Sequence, residues 1–215
     1  MRMSSQKASA TRKPLAAAPE AKAPSRRRGR ERVATLLAAG AVVFADKGFD
    51  AATMTEIAAR AGASIGSLYQ FFPTKAALAD ALLEQHMNVV HAHLDAIAAQ
   101  AATQPLPELA RALCNALVAT RSANPGFVAL LDSGNIDPAV IATIRKAMRQ
   151  QVAAILQRRA PHLPAAELAA AAAAVLQMMK SAAAMQADVT LPGREAALAE
   201  LAQMLHAYLQ VRLGG

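Results

Sequence analysis

Between Thr53 and Lys75 the chain reads TMTEIAARAGASIGSLYQFFPTK and gathers Thr53, Thr55, Ser64, Ser67, Tyr69, Gln70 and Lys75. These are hydroxyls with one carboxamide and one ammonium. The set has no histidine, thiol or carboxylate pair, the groups that acid–base, nucleophilic and metal chemistry need. Such side chains are suited instead to reading another polymer. A glutamine can pair bidentately with adenine, a small apolar group such as that of Ile65 can meet the thymine methyl, and hydroxyl and ammonium groups bind phosphate oxygens.

The elements that must position them follow from the same residues. Thr53 can N-cap a first helix while Glu56, three residues on, reaches back in a capping box; Ile57, Ala58 and Ala61 supply the buried stripe. Gly62 can take the left-handed conformation that turns the chain, and Ser64 is placed to cap a second helix carrying Ile65 to Phe72. Leu68 and Phe72 share one face and should pack on Ile57 and on Phe44 of the preceding helix, which leaves Ile65, Ser67 and Gln70 on other faces. Gly66 costs roughly 1 kcal/mol in a helix relative to alanine, so it is expected where the backbone approaches DNA or the first helix closely. Serines and threonines at helix starts are ordinarily only caps, and a surface glutamine is ordinarily only solvated. Collected in helix-turn-helix spacing, they point at DNA.

From Arg32 the line RVATLLAAGAVVFADKGFDAATMTEIAARAGASIGSLYQFFPTKAALADALL closely resembles the DNA-binding domain of the tetracycline-repressor (TetR) family. The shared marks are Ala39, Phe44, Gly48, Phe49, Thr53, Ile57, Ala58, Gly62, Ser64, Gly66, Leu68, Tyr69, Phe72, Lys75 and Leu78. One departure is mild: Ala76 and Ala77 stand where the family often carries an acidic residue after the lysine. The resemblance, with placement, implies phosphate contacts by Thr55, Tyr69 and Lys75 and base contacts by Ile65, Ser67 and Gln70. Thr53, Ser64, Gly66 and Phe71 complete the expected DNA-facing set. It also implies an all-α chain of about nine helices: a helix-turn-helix domain over residues 30–90, with its motif at 53–72, and a ligand-binding and dimerisation domain over 91–215. In that family a small-molecule pocket in the second domain rotates the paired DNA-binding domains out of register with the major grooves.

Charge agrees with a polyanionic partner. The net charge is +8, and the first 32 residues hold ten basic side chains against Glu20 and Glu31, so everything beyond is neutral overall. Residues 1–29, rich in Ala, Pro, Ser and Lys, are expected to be a disordered basic tail. The residues just before the first helix lie near the DNA backbone in the family, so Arg28 and Arg30 are expected to neutralise phosphates or follow the minor groove. A merely solubilising leader is the plainer reading of residues 1–24.

No strand pattern appears. Leu83, Met87, Val90, Leu94 and Ile97 recur at steps of three and four, so a long fourth helix should tie the two domains together. Pro105 with Pro107, Asn124-Pro125-Gly126, Asp132 to Pro138, Pro161 to Pro164 and Leu191-Pro192-Gly193 punctuate the remaining helical runs. The most apolar segment, Leu168 to Leu176, is interrupted by Gln177 and Lys180, short of the ~20 apolar residues a spanning helix needs. Neither a membrane segment nor a signal peptide is expected, and the single Cys114 fits a reducing cytoplasm.

In the last two helices, Leu168, Val175, Met178, Ala182 and Met185 on one and Leu198, Leu201, Leu205 and Tyr208 on the other form seams suited to a four-helix bundle between two copies. A two-fold pair reads a palindromic operator with half-sites about 34 to 36 Å apart. The effector itself is not identified by the sequence. Candidate pocket residues are His86, His93, Cys114, Phe127, Met148, Met178 and Met179, a flexible and mainly apolar set, although plain core is the more ordinary reading of each. His86 and His93 are seven apart without a third ligand at metal spacing, so no metal or other cofactor is expected. The chain has no nucleophile elbow, phosphate loop or His-Glu metal motif, which speaks against an enzyme. The function expected is sequence-specific transcriptional regulation, a repressor released by a small molecule. The competing class is a basic architectural protein that coats DNA without sequence preference.

Overall fold

A computed structural model describes residues 23–123, 126, 127, 130, 134 and 136–213. Among the described residues all regular structure is helical, in eight helices: α1 Ala23–Ala51, α2 Met54–Arg60, α3 Ile65–Phe71, α4 Lys75–Gln100, α5 Leu106–Ala123, α6 Pro138–Arg159, α7 Ala165–Ala187 and α8 Arg194–Leu213. That is close to the nine expected.

α1 starts well before the expected boundary at residue 30. Alanine and arginine are good helix formers, and an ion pair one turn apart, Arg27 to Glu31 at 3.5 Å, lies along this extension. Once the apolar stretch after Val33 has nucleated a helix, adding such residues to its start costs little. Arg27 and Arg28 therefore stand on the same helix as Arg30 rather than in a tail; residues 1–22 of the expected tail lie outside the described residues. Gly48, with φ of 76°, kinks the far end of α1.

Two apolar cores form. The first joins α1, α2, α3 and the start of α4 around Leu36, Phe44, Ile57, Leu68 and Leu78, all fully buried. The second joins the rest of α4 to α5, α6, α7 and α8 around Leu94, Leu109, Leu113, Ile155, Met179 and Leu205. α4 serves both. Its Leu78, Ala79 and Leu82 belong to the first core and its Leu83, Met87, Val90 and Leu94 to the second. The cores thus divide within α4 between residues 82 and 83, ahead of the boundary at 90 expected from sequence, because one continuous helix lies under both.

A second tie runs between α5 and α6. Leu130 is buried in the first core, Phe127 in the second, and Gly126 lies so close to α1 that a Cβ there would sit 2.1 Å from the Ala41 carbonyl oxygen. No side chain fits without movement of that backbone.

α7 corrects one expectation. With 23 residues it is long and apolar enough to cross a membrane by length and composition, because the alanines carry the helix through Gln177 and Lys180. Here Leu168, Val175, Leu176 and Met179 bury it against α5, α6 and α8. This is the burial of a core helix.

Candidate nucleic-acid interface and effector cavity

The start of α2 is fixed by a complete capping box. The Thr53 hydroxyl accepts from the Glu56 amide at 3.3 Å, and the Glu56 carboxylate accepts from the Thr53 amide at 3.1 Å. The other Glu56 oxygen accepts from Lys47 Nζ at 2.5 Å. These bonds, Lys47 first and Thr53 next, hold the Glu56 carboxyl below its ordinary range. Gly62 makes the turn with φ of 59°, a conformation that strains any residue with a Cβ. Ser64 Oγ then accepts from the Ser67 amide at 3.2 Å and starts α3. Thr53 and Ser64 are thus committed to caps, whatever else they meet.

α3 is anchored by one face only. Leu68 is fully buried and the C-cap Phe72 nearly so. Outward stand Ile65, Tyr69 and Phe71, respectively 40%, 48% and 39% exposed, with Gln70 exposed beside them and Ser67 half-buried. Three large apolar side chains on seven residues form a surface that gains by being covered. Thr55 is exposed on α2. A Cβ built on Gly66 meets no protein atom within 4 Å, so packing against the first helix does not demand glycine there.

Lys75 differs from expectation. Its ammonium donates to the carbonyls of Phe49 at 2.6 Å, Asp50 at 3.0 Å and Ala52 at 3.0 Å, and lies 4.5 Å from the Phe49 ring centre. An ammonium has three protons and all three are used, so Lys75 ties α4 to the kinked end of α1 instead of reaching for phosphate. α4 begins independently, on the Thr74 hydroxyl, which accepts from the Ala77 amide at 3.0 Å.

The second domain holds a cavity of about 420 Å³ between α4, α5, α6 and α7. His86, Phe127 and Met148 line it; His93, two turns further along α4 and exposed, does not. Cys114 and Met179 are buried in the core away from the cavity, and Met178 packs half-buried against that core. Burial pushes the Cys114 thiol up to about 11, which keeps it unreactive. The His86 ring stacks on Phe127 with centroids 3.5 Å apart, and its Nδ1 has no hydrogen-bond partner. Burial first, and the Arg121 charge second, lower the His86 pKa to about 4, so the ring is neutral.

Unforeseen in the lining are Arg121, Arg145 and Lys180, one from each of α5, α6 and α7. One signal was available: Lys180 lies one residue past Met179 and three before Ala183, inside an otherwise apolar stripe of α7.

The expected dimer seams also need revision. Leu168, Val175, Ala182, Leu201 and Leu205 are buried within a single chain, where α7 and α8 pack on each other and on α5. Only Met178, Met185, Leu198 and Tyr208 of that set remain half-exposed. The apolar stripe of an amphipathic helix goes first to its own core. What α7 and α8 leave outside is a different face: Ala170, Ala173, Ala174, Gln177 and Ala184, with Met204 and Val211 exposed by 61% and 82%.

A capped helix-turn-helix joined through one long helix to an all-α domain with an internal cavity defines the class of a DNA-binding regulator with an effector domain. Residues 36–82 match the pattern of bacterial regulatory proteins of the tetR family, and residues 105–209 match the tetracyclin repressor-like C-terminal domain. The chain belongs to the TetR family of transcriptional regulators. Members of that family bind DNA and small-molecule effectors and act as dimers.

The HTH-type transcriptional activator FasR of Mycolicibacterium smegmatis is 48% identical over 58 residues, which are 27% of this chain and 26% of that protein. The match thus spans about a quarter of the relative's length. A TetR-family regulator from Mesorhizobium loti is similar in fold, with TM-score 0.65 and 18% identity over 86% of this chain and 97% of the other. The fatty acid degradation regulator FadR from Bacillus halodurans gives TM-score 0.60 and 17% identity over 83% and 94%. NalD, the secondary repressor of the MexAB-OprM multidrug efflux pump in Pseudomonas aeruginosa, gives TM-score 0.61 and 15% identity over 84% and 96%. At these identities the three speak for the fold alone.

Proposed function

We propose that two copies of this chain bind a palindromic operator in the cytoplasm and act as a repressor that a small molecule releases. The observation that carries this reading is the outer face of α3. Ile65, Tyr69, Gln70 and Phe71 are presented outward on a helix whose back is locked by Leu68, while open space surrounds Gly66. In this reading Ile65, Ser67 and Gln70 meet base edges, and Thr55 and Tyr69 meet phosphates. Arg28 and Arg30 add charge from the start of α1.

Two copies meet through the outer alanine face of α7 and the Met204 and Val211 side of α8. Small side chains there let helices approach closely. Effector binding communicates with DNA through the two ties between the cores, α4 and the segment that carries Gly126, Phe127 and Leu130. Phe127 faces the cavity while its neighbour presses on α1, so a ligand that displaces the ring acts directly on the first domain.

Retention of sheared genomic DNA across a salt series tests the reading. A sequence-specific dimer keeps a minority of fragments at salt that strips the rest. Uniform loss with salt across all fragments would favour the architectural class instead.

A further inference from the structure

We infer that His86 is the polar anchor of the cavity, which takes a neutral, largely apolar molecule whose hydroxyl or similar hydrogen-bonding group pairs with the imidazole Nδ1. The inference rests on the effector-site reading above and names its ligand class and the residue that selects it.

The cavity wall is mainly aliphatic, with Leu83, Met87, Val90, Ile144 and Met148 among its residues. Among the described residues only two polar side chains are buried, Thr120 and His86, and both border this space. The Thr120 hydroxyl is bonded within its own helix, to the carbonyls of Ala116 at 3.2 Å and Leu117 at 3.1 Å. His86 is 5% exposed and its Nδ1 has no hydrogen-bond partner. A buried polar atom without a partner lowers stability, so an occupant that brings the matching atom gains what the empty cavity lacks. An apolar pocket with one such group takes its affinity from the wall and its selectivity from the polar atom.

The chemistry of the anchor narrows the class. A neutral imidazole offers one N–H and one lone pair, and a hydroxyl answers either, so the ligand class is the same for both tautomers. The ring carries no charge with which to compensate a charged head. Arg145 is exposed and Lys180 only half-buried, so solvent reaches both cations of α6 and α7 without a ligand.

The same atom ties binding to the rest of the chain. Phe127 stacks on the imidazole with centroids 3.5 Å apart, and its neighbour Gly126 presses on Ala41 of α1. Nδ1 is buried as the wall stands, so a ligand reaches it by shifting the wall, and Phe127 is the part of the wall already against the ring.

Calorimetry on the full chain with 4-propylphenol, propylbenzene and 4-propylbenzoate, three molecules of similar shape, tests this. Transfer from water alone favours propylbenzene over the phenol, so the expected order is the reverse of the hydrophobic one. The phenol should bind tenfold or more tightly than either of the others. His86→Phe keeps an aromatic ring to stack on Phe127; it should weaken phenol binding at least tenfold and leave propylbenzene unchanged. The same variant should raise the melting temperature of the empty protein, so its loss of binding cannot be ascribed to unfolding. In the native chain the His86 ring-nitrogen resonance should shift on adding the phenol and stay in place with propylbenzene.

Propylbenzene or 4-propylbenzoate binding as tightly as the phenol, no binding of the phenol, or full phenol affinity in His86→Phe would overturn the inference. Release of the selected operator is measured separately. Phenol binding through His86 without DNA release would leave the ligand class standing and contradict the proposed release mechanism.

Discussion

The two domains treat polar groups in opposite ways. In the first, the polar side chains that build the motif are spent locally: Thr53 and Glu56 cap each other, Ser64 caps α3, and Lys75 gives three bonds to the end of α1. What faces outward is an apolar and amide surface. In the second domain a polar group is left without a partner inside, at His86 Nδ1 beside the aliphatic cavity, while Met204 and Val211 stand exposed outside. In the proposed reading the two ends are coupled reciprocally, so a ligand that favours one state of the second domain changes DNA affinity by the same factor that DNA changes ligand affinity.

The sharpest break would come from the buried back of α3. Leu68→Ala should cost about 2–5 kcal/mol in chemical denaturation and abolish DNA binding, because Leu68 is the fully buried anchor of the helix, with Phe72 holding only its end. Retained DNA affinity would mean that α3 is not the reading element. Next in size is the effect of pH through His86. Its pKa falls from 6.5 to about 4 on folding, so the unfolded chain binds the proton more readily; stability should be complete above about 6.5 and decline as pH drops towards 4. His86→Leu should flatten that decline, as followed by melting temperature against pH.

Base readout should show in Gln70→Ala, with a loss of about 1–3 kcal/mol of discrimination at one position in each half-site and little change on scrambled DNA. Equal losses on both duplexes would remove Gln70 from readout. Tyr69→Phe, by contrast, should weaken all duplexes alike. Thr53→Ala should lower stability by about 1 kcal/mol through the lost cap. The smallest effect is the most diagnostic. Gly66→Ala should stabilise the free protein by up to about 1 kcal/mol, since no protein atom crowds the new methyl, yet weaken DNA binding. A variant gaining both would show that DNA does not approach Gly66 closely.

The first domain was legible because its logic is contiguous. Cap, turn glycine and anchoring leucine follow one another within twenty residues, and each has one physical use at its position. The cavity was not, because its wall comes from four helices whose facing is set by tertiary packing. His86, Phe127 and Met148 could be named as apolar or adaptable, and Lys180 stands inside an apolar stripe, but nothing local shows that Arg121 and Arg145 border the same space.

The dimer seam failed for a related reason. The periodicity of Leu168, Val175, Leu201 and Leu205 marks a buried face without saying whether the covering helix belongs to the same chain. Lys75 failed differently. A lysine after a helix cap fits phosphate on spacing alone, and only the kink at Gly48 brings three carbonyls within its reach.

The measurement that bears most directly on the central claim is selection of bound duplexes from a random DNA library at near-physiological salt, run in parallel on the native chain and on Gln70→Ala. The account predicts enrichment of an inverted repeat by the native chain and an altered preference at one symmetric pair of positions for the variant. DNA retained without any enriched sequence would contradict it, making α3 a phosphate-binding surface and the protein an architectural one.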